Sequence, residues 1–258
     1  MEVKAMLSND TCEKLKGLGL ESFLKGLEEQ RLVATYGEMG FEERLAMLID
    51  FVYKDRMSLK LKRLINQAKF RFKEADGNSI IYENRSLDRE KVLNLLTCQF
   101  LETYTNAVIV GVTGSGKTYL ACAIGKAACR HGYRVYYIRL GVLFEHMAAA
   151  METTTGLGRL LNRLSKYDLL IIDEWASLPL NPEQAHFIFE LVERRYGTHS
   201  TLLCTQHPVK EWHTIFGGDA TAESILDRII QNAITVFTGE TNMRQLLSPH
   251  PPRPEQET

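Results

Sequence analysis

The chain has 258 residues, 45% hydrophobic and 24% charged, with a formal net charge of −1. This balance describes a globular protein with room for a sizeable core, and it excludes a disordered chain or a disulfide-stapled miniprotein. So neutral a molecule is not a polycation, so any nucleic-acid contact must come from a local basic patch.

Residues 1–88 carry almost no strand signal. Leu15, Leu18, Leu20, Phe23, Leu24 and Leu27 recur at helical spacing, and Gly17 and Gly19 interrupt them, which predicts two short helices. Leu45, Leu48, Ile49, Val52 and Tyr53 form one apolar face of a further helical region over 42–61. A small all-α domain is therefore expected over 1–88. Between Lys54 and Lys73 the bases Lys54, Arg56, Lys60, Lys62, Arg63, Lys69, Arg71 and Lys73 stand against Asp55 alone, with Phe70 and Phe72 among the last. Such a run reads either as a surface that tracks a nucleic-acid backbone or as a basic face for an acidic partner or water. The polar stretch 78–89 marks the expected boundary, and Ser86 or Asp88 caps a helix over 89–103.

From there strands and helices alternate. Strands are expected over 106–110, 133–138, 167–172, 200–205 and 234–237. Helices are expected over 117–131, 141–151, 156–166, 181–196 and 222–232. The alternation predicts an α/β domain over 89–247, a parallel sheet covered by helices. Residues 248–258 are rich in proline and charge, the composition of a disordered tail.

The 5 cysteines (Cys12, Cys98, Cys122, Cys129 and Cys204) show no Cys-x-x-Cys spacing, which fits core thiols in a reducing compartment. No signal-peptide pattern or long apolar run is present, so a cytoplasmic location without a membrane span is expected.

The chemistry concentrates after the first strand. Asn106 to Val110 feeds Gly111-Val112-Thr113-Gly114-Ser115-Gly116-Lys117-Thr118, followed by Tyr119 and a helix. This is the phosphate-loop spacing in its required strand–loop–helix context. The glycines let backbone amides approach a phosphate, and the helix N-terminus adds its positive end. Lys117 would reach the terminal phosphates of a bound nucleotide, and the Thr118 hydroxyl would hold Mg²⁺. The apolar strand Leu169-Leu170-Ile171-Ile172 ends in Asp173-Glu174. Successive side chains of a strand alternate, so Asp173 is assigned to Mg²⁺ and Glu174 to the attacking water as general base. Thr205 or Gln206, past the fourth strand, either holds that water or only starts the turn before Pro208. Arg228, on an apolar helix face, and Arg244 are each a phosphate contact or a surface salt-bridge partner.

Together these residues resemble the IstB-type ATPases, the helper proteins encoded beside the transposase of certain bacterial insertion sequences. The resemblance spans nearly the whole chain. It includes Leu27-Glu28-Glu29-Gln30, Phe41-Glu42-Glu43-Arg44-Leu45, the phosphate loop, Thr205-Gln206-His207-Pro208 with Glu211-Trp212, and Ile225-Leu226-Asp227-Arg228. Helicase loaders of the DnaC type are relatives with the same core. The resemblance implies an AAA+ fold, a parallel sheet of order 5-1-4-3-2. It also implies ATP-dependent homo-oligomeric assembly on duplex DNA and delivery of that DNA to a transposase. It casts Arg228 as an arginine finger, Gln206 as a γ-phosphate sensor and Arg244 as a second sensor, and it leans the basic run toward DNA, with Arg139 as a weaker contact. The rivals are a helicase loader, a nucleotide-gated scaffold that never turns over, and a small-molecule phosphotransferase.

Overall fold

The computed structural model describes residues 7–83 and 85–246; the tail expected over 248–258 lies outside them. The chain divides into two compact units at Arg63/Leu64, within one long helix.

The first unit holds α1 (Asn9–Gly17), α2 (Glu21–Leu32) and most of α3 (Phe41–Ala68). Ser8 caps α1 by accepting from the Thr11 amide at 3.1 Å. Gly19 carries the chain out of α1 in the left-handed region, φ +65. Helices α2 and α3 pack tightly at Gly26, where a Cβ would stand 2.5 Å from Leu48 Cδ1. Polar ties flank that contact. Gln30 donates to the Arg44 carbonyl at 2.7 Å, Arg56 donates to the Gly19 carbonyl at 2.7 Å, and the Ser22 hydroxyl donates to Asp55.

In the second unit the chain continues into α4 (Arg89–Thr97), β1 (Asn106–Val110), α5 (Lys117–Arg130), β2 (Val135–Arg139), α6 (Leu140–Met151) and α7 (Gly156–Ser165). It closes with β3 (Leu169–Trp175), α8 (Pro182–Arg195), β4 (Ser200–Thr205), α9 (Val209–Ile215), α10 (Ala220–Ile230), β5 (Ala233–Phe237) and α11 (Met243–Leu246). The five strands form one parallel sheet of order β2-β3-β4-β1-β5. That is the expected 5-1-4-3-2 order read from the other edge. The central strands are buried on both faces, which explains their unbroken apolar runs. Val108, Ile172, Leu203, Phe187 and Ile225 share the core beneath α8 and α10.

Three features differ most from the sequence reading. The compact units part at 63/64 rather than at 88, because side chains between Lys69 and Leu87 pack onto the sheet domain. Phe70, Ala75 and Leu87 are buried, Phe70 lies against Gly125 of α5, and Lys126 donates to the Lys73 carbonyl at 3.0 Å. The helix expected to reach 103 stops at Thr97, where Cys98 turns left-handed at φ +63 and a short 3₁₀ turn follows. Helix α9 was not anticipated; it is seven residues long and hangs on one buried side chain, Trp212.

Candidate nucleotide and nucleic-acid site

Parallel strands deliver their C-terminal ends to one edge of the sheet, where doubly wound folds bind ligands. There β1 runs into the phosphate loop. Gly114 and Gly116 take φ +83 and +88, and Gly111 has no room for a Cβ, which would fall 2.0 Å from Thr238 Oγ1. The Ser115 and Thr238 hydroxyls share a 2.6 Å hydrogen bond that ties the loop to the residue after β5. Lys117 Nζ donates to the carbonyls of Gly111 (2.7 Å) and Val112 (2.8 Å), so its ammonium arches over the loop. Burial, ahead of the nearby Arg244, holds Lys117 below the usual lysine range, while Asp173 opposes the shift.

Asp173, 2% exposed, is held from three directions. The Thr118 hydroxyl donates to its Oδ2 at 2.8 Å, the Tyr137 hydroxyl to the same oxygen at 2.7 Å, and the Glu174 amide to Oδ1 at 2.9 Å. Burial, with Asp173 alongside, pushes the Tyr137 phenol well above its ordinary range, so it stays a neutral donor. Among the described residues no group of three or more His, Cys, Asp or Glu could enclose a metal ion. A hydroxyl beside one carboxylate fits Mg²⁺, which takes its remaining ligands from water and nucleotide phosphates.

Glu174 does not sit in a regular strand. A register shift separates Ile172 from Trp175 in the β3–β4 pairing, and Glu174 and Ala176 are left-handed at φ +61 and +55. Across the bulge Asp173 is buried, Glu174 exposed and Trp175 buried, so the two carboxylates part to opposite sides as expected. Two guanidinium groups flank the Glu174 carboxylate: Arg71 Nη1 and Arg139 Nη1 each lie 3.9 Å from Oε1. Behind the bulge Trp175 packs edge-on against Trp212 and Phe216. Trp212 Nε1 donates to the His207 carbonyl at 3.0 Å, so the same cluster anchors the turn after β4. Gln206 of that turn accepts from Thr113 Oγ1 at 2.7 Å, whereas Thr205 is spent on the His207 amide at 3.1 Å.

These groups surround a cavity of about 650 Å³. Lys117, Thr118, Asp173, Glu174 and Gln206 line its polar side, and Phe72, Ile80, Ile81, Leu87 and Met243 its apolar side. Arg244 lines it as well. Arg228 does not. Its Nε donates to Glu193, its Nη1 donates to the Ser224 carbonyl at 3.0 Å, and its guanidinium stacks 5.1 Å over Phe189. It lies by the strand starts, where Asn106 donates to its carbonyl at 3.3 Å. Of the basic run, Lys54, Arg56, Lys60, Lys62 and Arg63 are exposed on α3 in the first unit, while Lys69, Arg71 and Lys73 follow in the second. The run is thus divided between the two units. Sequence reasoning missed Tyr137 and Arg85; the latter donates to the Ser115 carbonyl at 2.8 Å.

Residues 13–248 match the model of the family described as IstB-like ATP binding protein. The chain belongs to this family. Within the IstB-like family it is 32% identical over 240 residues to the insertion sequence ATP-binding protein y4pL of Sinorhizobium fredii, covering 93% of this chain and 98% of that one. It is 30% identical to the insertion sequence IS21 ATP-binding protein of Pseudomonas aeruginosa, covering 91% and 85%. Among solved structures, the DnaC helicase loader superposes with a TM-score of 0.50 at 20% identity, covering 57% of this chain and 86% of that one. DnaI does so with 0.52 at 16% identity, covering 66% and 91%. These likenesses show an AAA+ fold of the DnaC kind in a member of the IstB-like ATP-binding family. No helix among the described residues is long and apolar enough to cross a membrane.

Proposed function

We propose that this IstB-like protein is a DNA-responsive ATPase that assembles on duplex DNA and serves the transposase of its insertion sequence. The observation that carries the reading is the placing of Glu174. It lines the phosphate-loop cavity next to Asp173 and is flanked by Arg71 and Arg139, two residues nominated for DNA from the sequence. In the mechanism, Lys117 and the loop amides bind the ATP phosphates, and Thr118 and Asp173 would hold Mg²⁺, which neutralises charge on the phosphates. Gln206 and Glu174 orient the attacking water, and Glu174 takes its proton. Duplex phosphates compete with Glu174 for Arg71 and Arg139, so DNA contact frees the base and links binding to turnover. Arg228, outside its own cavity, serves the cavity of a neighbouring subunit. The insertion-sequence names of the relatives favour a transposase over a replicative helicase as client.

The test is steady-state hydrolysis with and without duplex DNA. Glu174→Gln should bind ATP normally and lose hydrolysis by about 100-fold or more. Paired Arg71→Ala and Arg139→Ala changes should raise the DNA-free rate and abolish the response to DNA. Full hydrolysis by Glu174→Gln would remove the assigned base. An intact DNA response in the double variant would move the DNA contact elsewhere.

A further inference from the structure

Arg85 lies just ahead of α4 and has no role in the reading above. Its guanidinium donates to the Ser115 carbonyl at 2.8 Å and the Thr238 carbonyl at 3.0 Å, with a longer contact to the Ile81 carbonyl at 3.4 Å. Those groups belong to the phosphate loop, to the residue after β5 and to the segment that forms the apolar wall of the cavity. Nη1 comes within 3.7 Å of where a Cβ on Gly116 would lie, at the step that opens α5.

Arg85 is half-buried, and its Nε is buried with no acceptor. Among the described residues it forms no ion pair. Arg195 shows what a purely structural arginine looks like in the same molecule. It is 2% exposed, and its nitrogens are caged by Thr201 Oγ1 and the carbonyls of Leu164, Tyr167 and Ser200. It does not line the nucleotide cavity; Arg85 does. Arg85 reaches from the Ile81 carbonyl, on the apolar wall, to the edge of Gly116. A desolvated cation without a counter-ion is costly, and an anion bound in that cavity would remove the cost.

The geometry points to Arg85 as a further nucleotide ligand, the counter-ion of the phosphate next to the nucleoside, which ATP and ADP both carry. A guanidinium whose Nη2 is already fixed by two carbonyls holds its remaining donors in a planar fork, the arrangement that suits phosphate. This assignment rests on reading the cavity as the ATP site. Lys117 then serves the far end of the phosphate chain and Arg85 the near end.

The test is a titration of fluorescent ATP and ADP analogues into the full chain, comparing wild type, Arg85→Gln, Arg85→Lys and Lys117→Ala, with melting of each nucleotide-free protein alongside. Arg85→Gln should weaken ATP and ADP by the same factor, about tenfold or more. Arg85→Lys, which keeps the charge but lacks the planar fork of the guanidinium, should recover part of that loss. ADP binding by Arg85→Gln within about twofold of wild type would overturn the proposal, as would a loss confined to ATP. Equal losses in Arg85→Lys and Arg85→Gln, tracking a shared drop in melting temperature, would make Arg85 only a carbonyl staple. A wild-type protein that binds neither nucleotide would overturn the assignment of the cavity itself, and the proposal with it.

Discussion

At the scale of single residues, the polar side of the cavity was largely legible. Lys117, Thr118, Asp173 and Glu174 are announced by residue type and spacing, because phosphate and Mg²⁺ chemistry demand those groups on a strand–loop–helix frame. Tyr137 was not legible. It sits in the run Val135-Tyr136-Tyr137-Ile138, which reads as an apolar strand. Only the parallel pairing of β2 with β3, which sets Tyr137 beside Ile171 and Arg139 beside Asp173, brings its hydroxyl to the Asp173 carboxylate. Tyr137→Phe removes one donor from a buried carboxylate, a loss of about 1–3 kcal/mol. The expected result is near-normal ATP affinity with a several-fold higher Mg²⁺ requirement for hydrolysis. A magnesium titration of the variant checks this, and an unchanged midpoint would leave Asp173 independent of Tyr137.

At the scale of elements, sequence patterns located the strands well because each central strand is buried on both faces and so is continuously apolar. They failed where burial hangs on isolated side chains. Residues 78–89 look like a linker by composition, yet Leu87 is buried and Arg85 grips the phosphate loop. Helix α9 is too short to show a period, and its single buried side chain, Trp212, makes no pattern on its own. The join between residues 69–75 and α5 is tight at one point. A Cβ at Gly125 would stand 2.5 Å from Phe70 Cε1 and 2.9 Å from Ile171 Cδ1. Gly125→Ala gains helix propensity but forces that packing apart, so a net destabilisation of about 1–3 kcal/mol is expected. Thermal melting measures it, and a melting temperature at or above wild type would show that Phe70 yields freely.

At the scale of the whole molecule, the two ends of the sheet carry different chemistry. The cavity lies at the strand C-termini, while Arg228 is anchored by Asn106 at the start of β1 and by Glu193. One chain cannot bring both to the same phosphate, which is why the family resemblance rather than any local pattern named Arg228. Subunits that stack head to tail would supply the missing half. Arg228→Ala and Lys117→Ala should each be nearly inactive alone, and mixing them should restore hydrolysis, since some interfaces then pair an intact finger with an intact loop. A silent mixture, or a fully active Arg228→Ala protein, would reduce Arg228 to the partner of Glu193. The chain has 2 tryptophans, and both belong to the cluster packed behind the Glu174 bulge. Its tryptophan emission therefore arises from one spot, and unlabelled protein can report in real time when that strand end shifts.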